Sequence, residues 1–339
     1  MAPRVRPRRG AVTRPGWLAA LWLGAAVLGG CARHEPTAPV VLADSLLARD
    51  STRELRLVRL RDGRGTVHEG WLRLVPPPSR FGEAAAAGGP PTRPAVSAYQ
   101  SVLVLGGIGT GRRAAEIFPC PPGFAVFALD YPYAGPRQPT RGEVLRHLGE
   151  IRRAAYAAPR GVTAALRYLE ERPDIRRGGA LVVGASFGAP FVLRGIADRP
   201  RARDAAGRDL GPRGVRAVSV FFGGADFPAL IRYRMRERPW WEREAVAWGL
   251  ALLFGDLDPQ RTVGRVSPRP LLLINGTEDE FVPAASARAL ERAARRPKRQ
   301  IWLPSAHLQP DAEALLVQLT QTTLQWLREV EAEAPASGR

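Results

Sequence analysis

One serine of the chain stands in a pattern typical of a nucleophile. Residues 180–188 form an apolar run that ends in Gly184-Ala-Ser186-Phe-Gly188 and leads directly into an amphipathic stretch. This order predicts a strand, a sharp turn and a helix, with Ser186 exposed at the turn. Glycines are needed on both sides because a side chain there would collide with the neighbouring strand and helix. Such a serine attacks a carbonyl carbon, provided that a base accepts its proton.

The base should be a histidine that follows the serine in the chain. Of the four histidines, His34, His68 and His147 all precede Ser186. His307 comes after a short apolar run near 299–303, where a loop can deliver its imidazole to the serine. The predicted base is therefore His307, and the alternative is a surface histidine without a role.

The acid that orients the base should lie between the serine and the histidine. Residues 270–283 form a buried type of strand that breaks into an acidic turn, and Asp279 in this turn is the predicted acid. Its neighbours Glu278 and Glu280 are alternatives, as is Asp226 at the end of the preceding strand. An acidic turn can also serve only as a helix cap or a solvated loop.

An oxyanion hole needs one backbone N–H after the nucleophile and one from an earlier loop. Phe187 follows the serine, and a glycine-rich loop after the strand near 101–105 offers the N–H of Ile108. The alternative for this loop is a phosphate cradle. It lacks, however, the Lys-Ser or Lys-Thr pair of a P-loop and the Gly-x-Gly-x-x-Gly spacing.

These motifs together resemble the α/β-hydrolase superfamily, in particular its dienelactone-hydrolase-like and prolyl-oligopeptidase-like branches. The resemblance covers most of residues 55–330 and also includes Leu129-Asp-Tyr-Pro132 and Ser305-Ala-His307. Gly106 departs from the pattern, because many relatives have a histidine before the oxyanion glycine. The resemblance implies a serine hydrolase and leaves its substrate open.

Alternation of apolar runs and helical stretches predicts the same architecture independently of the resemblance. We expect an α/β-hydrolase fold with a mostly parallel eight-stranded sheet flanked by helices and a helical cap insertion. Continuous rather than alternating apolar runs indicate strands buried on both faces. The strands are predicted near 55–61, 67–75, 101–105, 124–129, 180–184, 215–222, 270–275 and 299–303. The helices are predicted near 111–117, 142–171, 187–198, 284–296 and 309–331.

The cap is predicted at about 226–264, between two of these strands. It contains Trp240, Trp241 and Trp248. These tryptophans are candidates for a substrate pocket that takes an acyl or aromatic group. The alternative is that they pack the insertion onto the body of the protein.

The amino terminus resembles an export signal, because five arginines precede an apolar run from Trp17 to Leu28. Leu28-Gly-Gly-Cys31 is similar to the bacterial lipobox, which implies lipidation of Cys31. An ordinary cleaved signal and twin-arginine export are the alternatives. We therefore predict an exported protein of the cell envelope that is lipid-anchored to a bacterial membrane. The predicted organisation is a signal at 1–30, a tether at 31–50, a hydrolase domain at 51–331 and a disordered tail at 332–339.

Composition narrows the range of partners. The formal net charge is +18, but the basic residues are scattered arginines with Lys298 as the sole lysine. Nucleic-acid binding would require a basic stripe with interleaved aromatics, so we expect none. No metal-ligand spacing is visible, and we expect neither a metal nor an organic cofactor. Cys120 is interpreted as a structural cysteine.

The sequence thus predicts a serine hydrolase of the carboxylesterase type that acts through an acyl-enzyme. The expected partners are a small-molecule carboxylic ester or thioester and a membrane surface reached through the lipid anchor. A peptidase acting on small peptides is the first alternative. A surface lipoprotein that uses a hydrolase fold only for binding is the second.

Overall fold

The computed structural model describes residues 38–77, 99–136 and 140–333. Its strands are β1 (Val40–Arg49), β2 (Glu54–Arg61), β3 (Val67–Val75), β4 (Gln100–Leu105), β5 (Phe124–Leu129), β6 (Ala180–Ala185), β7 (Arg201–Arg203), β8 (Asp209–Pro212), β9 (Val215–Phe221), β10 (Leu271–Gly276) and β11 (Lys298–Leu303).

Helices connect most of these strands. They are α1 (Ala114–Ile117), α2 (Arg141–Arg146), α3 (Leu148–Glu171), α4 (Ala189–Ala197), α5 (Phe227–Arg234), α6 (Trp240–Phe254), α7 (Pro259–Thr262), α8 (Ala284–Ala293) and α9 (Glu313–Glu333). Short 3₁₀ turns lie at Gly111–Arg113, Ser186–Gly188, Gly255–Leu257 and Val263–Arg265.

The large sheet has the strand order β1-β2-β3-β5-β4-β6-β9-β10-β11. Strands β5, β4, β6, β9, β10 and β11 run parallel, whereas β1, β2 and β3 form an antiparallel extension on β5. Helices α3 and α4 cover one face, and α9 covers the other. Because both faces are covered, the central strands are apolar throughout. The predicted α/β-hydrolase architecture is confirmed.

The core has two layers, one on each side of the sheet. On β4, Leu103 and Leu105 point to the layer under α3 and α4, while Val102 and Val104 point to the layer under α9. All four side chains are buried. This alternation follows from the two-residue period of a strand, and it fixes which side of the sheet each helix covers.

The predicted strand number is wrong, because the described part of the chain has nine strands in this sheet. The additional strand is β1, which occupies residues that the sequence analysis assigned to a tether. It pairs antiparallel with β2, from Val40 opposite Arg61 to Arg49 opposite Glu54. The carboxylate of Asp44 in β1 lies 2.7 Å from the guanidinium of Arg172 and accepts a hydrogen bond from the Tyr168 hydroxyl. These contacts attach the strand to the body of the domain.

Two smaller differences concern charged segments. Strands β7 and β8 form an antiparallel hairpin outside the main sheet that the sequence analysis did not predict. Helix α9 continues to Glu333, so the first two residues of the predicted tail are helical. The predicted signal and Cys31 lie outside the described residues, as does the tail from 334 onward.

The predicted cap corresponds to an insertion between β9 and β10 that contains α5, α6 and α7. The side chains of Arg232 in α5 and Glu244 in α6 form a two-bond ion pair at 2.8 and 2.9 Å. At the other end of α6, the carbonyl of Leu253 accepts a hydrogen bond from the Tyr156 hydroxyl of α3. Near its start α6 is therefore bonded to α5 within the cap, and at its end it is bonded to α3 in the body of the domain.

Candidate active site

The turn that carries Ser186 is sterically tight. Ser186 has a positive φ of 50°, a backbone conformation that residues other than glycine rarely adopt. A Cβ at Gly184 would lie 2.9 Å from the Cα of Ala189 in α4, and a Cβ at Gly188 would overlap the carbonyl oxygen of Leu105 at the end of β4. The predicted collisions of side chains with the adjacent helix and strand are confirmed. The strained turn exposes the serine at the carboxyl edge of the sheet.

Ser186, His307 and Asp279 are joined by hydrogen bonds. The Ser186 Oγ lies 2.7 Å from Nε2 of His307, and the opposite ring nitrogen, Nδ1, lies 2.8 Å from Oδ2 of Asp279. The carboxylate can only accept, so Nδ1 carries a proton and Nε2 is free to accept the serine proton. Both Asp279 and His307 are buried. This arrangement can deprotonate the serine and stabilise the resulting imidazolium.

Burial distinguishes Asp279 from its two acidic neighbours. Glu278 and Glu280 are exposed, whereas Asp279 is buried and its Oδ1 accepts hydrogen bonds of 2.8 Å from the backbone N–H groups of Phe281 and Val282. These two donors fix the carboxylate and turn Oδ2 towards the imidazole. The Glu280 side chain contacts the backbone of His307, whose N–H donates a hydrogen bond of 3.5 Å to Oε2.

The remaining aspartate and histidine candidates make contacts elsewhere. Asp226 caps α5, where its Oδ1 accepts a hydrogen bond from the N–H of Ala229. His68 is buried against Asp62, with 3.0 Å between Nε2 and Oδ2. His147 lies 3.1 Å from Glu150 on the surface. His34 lies outside the described residues.

The loop that follows β4 lies against the nucleophile turn, as the contact of Gly188 with Leu105 requires. The carbonyl of Gly107 accepts hydrogen bonds from the N–H groups of Thr110 and Gly111, at 3.0 and 3.3 Å. The N–H of Ile108 belongs to the same peptide unit and points away from that carbonyl, because the peptide is planar and trans. The side chains of Ile108 and Phe187 are both partly exposed. Their assignment as oxyanion donors stays a prediction.

Two residues after β5 hold this loop, and neither was predicted to have a role. The hydroxyl of Tyr131 donates a hydrogen bond of 2.5 Å to the carbonyl of Gly106. Burial raises the pKa of Tyr131, so the hydroxyl stays protonated and remains a donor. Asp130 accepts a hydrogen bond of 2.7 Å from the N–H of Arg112. Their position directly after a central strand was the available signal, because such positions face the carboxyl edge of the sheet.

Aromatic rings surround the imidazole. Phe222 packs edge-on against His307 with ring centroids 5.5 Å apart, and Phe281 lies at 4.9 Å. The guanidinium of Arg234, at the end of α5 in the cap, lies 4.2 Å from the centre of the Phe281 ring. The cap therefore contacts the loop that carries Asp279. No local sequence pattern marks these residues as part of the site.

The cap tryptophans are exposed. Trp240, Trp241 and Trp248 have 70%, 61% and 68% of their surface accessible. The alternative that they pack the insertion onto the body is therefore wrong. A cavity of 360 Å³ at the base of the cap is lined by different residues, among them Phe227, Ala251 and Arg261. The assignment of the tryptophans to a substrate pocket stays a prediction.

Cys120 is partly buried, and the charge of Arg73 acts on its thiol. Burial raises the pKa of its thiol to about 12, which suits a structural residue and not a nucleophile. Within residues 38–77, 99–136 and 140–333, no group of three His, Cys, Asp or Glu side chains could hold a metal ion. In the same ranges, no helix has both the length and the apolar character needed to cross a bilayer.

The chain matches no model of a protein family and no curated protein. Solved structures do match it. An acetyl xylan esterase from Paenibacillus sp. R4 aligns with a TM-score of 0.54 at 15% identity, over 93% of this chain and 96% of that one. Acetyl xylan esterase 1 from Thermoanaerobacterium sp. JW/SL YS485 gives 0.53 at 14% identity, over 84% and 87%.

A cold-adapted esterase from an Arctic intertidal metagenomic library gives a TM-score of 0.52 at 16% identity, over 85% of this chain and 97% of that one. At these identities the similarity concerns the fold. The strand order, the helices on both faces and the serine turn after β6 agree with that similarity. The chain therefore has the α/β-hydrolase fold.

Proposed function

We propose that the protein is a serine hydrolase that cleaves a carboxylic ester or thioester. The observation that carries this proposal is the hydrogen-bonded line from Ser186 Oγ through His307 to Asp279, with distances of 2.7 and 2.8 Å. Three residues from separate parts of the chain meet there in the chain order of this fold. A protein that used the fold only for binding would not need a fixed base beside a strained serine.

In the proposed reaction, Ser186 Oγ attacks the carbonyl carbon of the substrate while its proton moves to Nε2 of His307. Asp279 accepts the hydrogen bond from Nδ1 and stabilises the imidazolium. The N–H groups of Phe187 and Ile108 stabilise the oxyanion. His307 then protonates the leaving alcohol or thiol, and an acyl-enzyme remains. A water molecule, deprotonated by the same histidine, releases the acid and restores the serine.

An ester is placed before a peptide for two reasons. The proteins with the same fold named above are described as esterases, and two are acetyl xylan esterases. In addition, alcohols and thiols are better leaving groups than amines, so cleavage of an ester or thioester depends less on proton donation by His307 than cleavage of a peptide does. Cleavage of small peptides and binding without turnover are the results that would replace the proposal.

We also propose that the protein is exported and anchored to a bacterial membrane through lipidated Cys31. The arginine-rich start, the apolar run and the lipobox-like sequence support this location. Mass spectrometry of the mature amino terminus tests it. A diacylated cysteine at position 31 is expected, and a mature terminus without lipid would contradict the anchor while leaving the hydrolase proposal intact.

The experiment that tests the activity is labelling with a fluorophosphonate probe, followed by peptide mapping and hydrolysis of an ester panel. We expect labelling at Ser186, its complete loss in Ser186→Ala, and a strong decrease in His307→Ala. A matched control is Ser45→Ala, which removes an exposed serine of β1 and should leave labelling unchanged. Ester hydrolysis that persists in folded Ser186→Ala would refute the assignment.

A further inference from the structure

Helix α6 of the cap carries an apolar stripe that faces solvent. Trp241, Ala245, Trp248 and Leu252 follow one another at intervals of four, three and four residues, which places them on one side of the helix. The accessible fractions of Trp241, Trp248 and Leu252 are 61%, 68% and 85%. We call these four residues the α6 stripe. Large apolar side chains in one exposed row mark an interaction surface.

Other positions of α6 contact the rest of the protein. Glu244 is paired with Arg232, Ala247 is buried, and the carbonyl of Leu253 is bonded to α3. The stripe is therefore the outer face of a helix that is held in place from within. A surface of this kind keeps its geometry without a partner, so its exposure is a stable property of the fold.

Charge at the start of α6 distinguishes between partners. Exposed Arg236 and Arg238 directly precede the helix, and Glu237 between them lies 4.0 Å from Arg236. Cations are unfavourable at a helix N-terminus, where the backbone itself carries partial positive charge. These arginines therefore do not serve the stability of α6. They are complementary to an anionic surface.

A second copy of the chain is the other candidate occupant. In an antiparallel pair of α6 helices, the arginines of one copy would approach the carboxyl end of the other, which carries a partial negative charge and where Asp256 is paired with Arg261 at 3.2 Å. A helix end offers only this partial charge, whereas an anionic membrane offers a full negative charge on each acidic lipid. Tryptophan also favours the boundary between lipid headgroups and acyl chains, where an apolar ring and a polar N–H are both satisfied.

We infer that the α6 stripe binds the surface of an anionic phospholipid membrane. Trp241, Trp248 and Leu252 enter the headgroup region, and Arg236 and Arg238 contact lipid phosphates beside it. This contact requires neither the proposed lipid anchor nor turnover at Ser186. It would hold the cap, and with it the loop next to Phe281, against the membrane.

The test is co-sedimentation with vesicles of phosphatidylcholine alone or mixed equally with phosphatidylglycerol. Every protein is the full chain with Cys31→Ser, so that no acyl chain contributes and residues 1–30 are common to all variants. The stripe variant combines Trp241→Ala, Trp248→Ala and Leu252→Ala. We expect it to lower the partition coefficient about a hundredfold, because three large apolar side chains no longer leave water.

The arginine variant combines Arg236→Gln and Arg238→Gln. It should lower partition into the anionic vesicles about thirtyfold, because each arginine contributes a factor of up to about ten. Partition into phosphatidylcholine vesicles should change little. The control variant removes exposed apolar side chains elsewhere, with Leu46→Ala, Val67→Ala and Leu210→Ala, and should bind as the parent does. Unchanged unfolding temperatures establish that the cap variants are folded.

Two results would overturn the inference. One is equal vesicle binding by the parent, the stripe variant and the control. The second is a parent that forms dimers in sedimentation equilibrium while the stripe variant is monomeric and vesicle binding is absent, which would assign the stripe to a second copy of the chain.

Discussion

Replacing Asp279 with asparagine tests whether Oδ2 of this carboxylate sets the protonation state of His307. In the structure, Oδ1 accepts from the N–H groups of Phe281 and Val282, and Oδ2 faces Nδ1 of His307. An asparagine must keep its carbonyl oxygen at the Oδ1 position, because an NH₂ group there would face two N–H donors. Its NH₂ group then donates to Nδ1 of His307. The proton of the imidazole moves to Nε2, which can no longer accept from Ser186.

The size of the effect follows from this tautomer. The side chain keeps its volume and all three hydrogen bonds, with donor and acceptor exchanged in the one to His307, so the fold should be retained. The base, however, is in the wrong protonation state for the first step. We expect kcat to fall by about 10⁴-fold, equivalent to about 5 kcal/mol of transition-state stabilisation.

The assay is steady-state hydrolysis of a short-chain ester, combined with the rate of fluorophosphonate labelling. Matched controls are Glu278→Gln and Glu280→Gln, which make the same carboxylate-to-amide change at the exposed neighbours. They should change kcat by less than about threefold, the range expected for a surface charge. An Asp279→Asn enzyme that keeps more than about a tenth of kcat, or a larger loss in Glu278→Gln, would refute the reasoning.

Three further predictions concern residues away from the triad. Tyr131→Phe removes the donor to the Gly106 carbonyl, so kcat should fall about tenfold with KM little changed in a folded protein; an equal loss through KM alone would contradict a role in holding the oxyanion loop. Burial alone would raise the pKa of Asp62, but hydrogen bonds from His68 and Arg160 hold that pKa well below its usual range. The ionised Asp62 therefore stabilises the fold fully at pH values above about 4, the pKa of this group in the unfolded chain. Asp62→Asn should lower the free energy of unfolding by about 3 kcal/mol at neutral pH, and this difference should shrink as the pH falls further into the acid range. Chemical denaturation at several pH values measures it, and a difference that is constant with pH would exclude the ionised carboxylate as its source. In a Cys31→Ser protein, the thiol of Cys120, with its pKa of about 12, should react with a thiol reagent at about pH 8 only in denaturant. Rapid reaction of the native protein would show that the thiol is accessible.

Local sequence patterns were sufficient to predict the central strands and the position of the catalytic candidates. The central strands are apolar throughout because helices cover both faces of the sheet, and that pattern is visible in the sequence. Gly184 and Gly188 predicted a tight turn because the clash of a side chain there depends only on neighbouring elements. The order of Ser186, Asp279 and His307 along the chain, together with parallel strands, was enough to predict that these residues lie at one edge of the sheet.

Strand β1 was missed because it is exposed along most of its length and has no clear alternation of apolar and polar residues. What makes it a strand is backbone pairing with β2 and the contacts of Asp44 with α3, and neither is encoded locally. The β7–β8 hairpin is similar, since its charged sequence acquires structure by pairing and by bonds from Arg201 to the carbonyls of Arg265 and Ser267. Edge elements depend on partners distant in the chain, so a local pattern does not reveal them.

The sequence by itself determined the fold class, the order of the central elements and the small set of residues that could act as nucleophile, acid and base. The tertiary structure decided which carboxylate faces His307, because burial and two backbone donors separate Asp279 from its exposed neighbours. It also decided the hydrogen bond from Tyr131 to Gly106 and the outward direction of Trp241 and Trp248. Periodicity and turn chemistry are properties of adjacent residues, whereas burial, electrostatic environment and exposure depend on what the rest of the chain brings near.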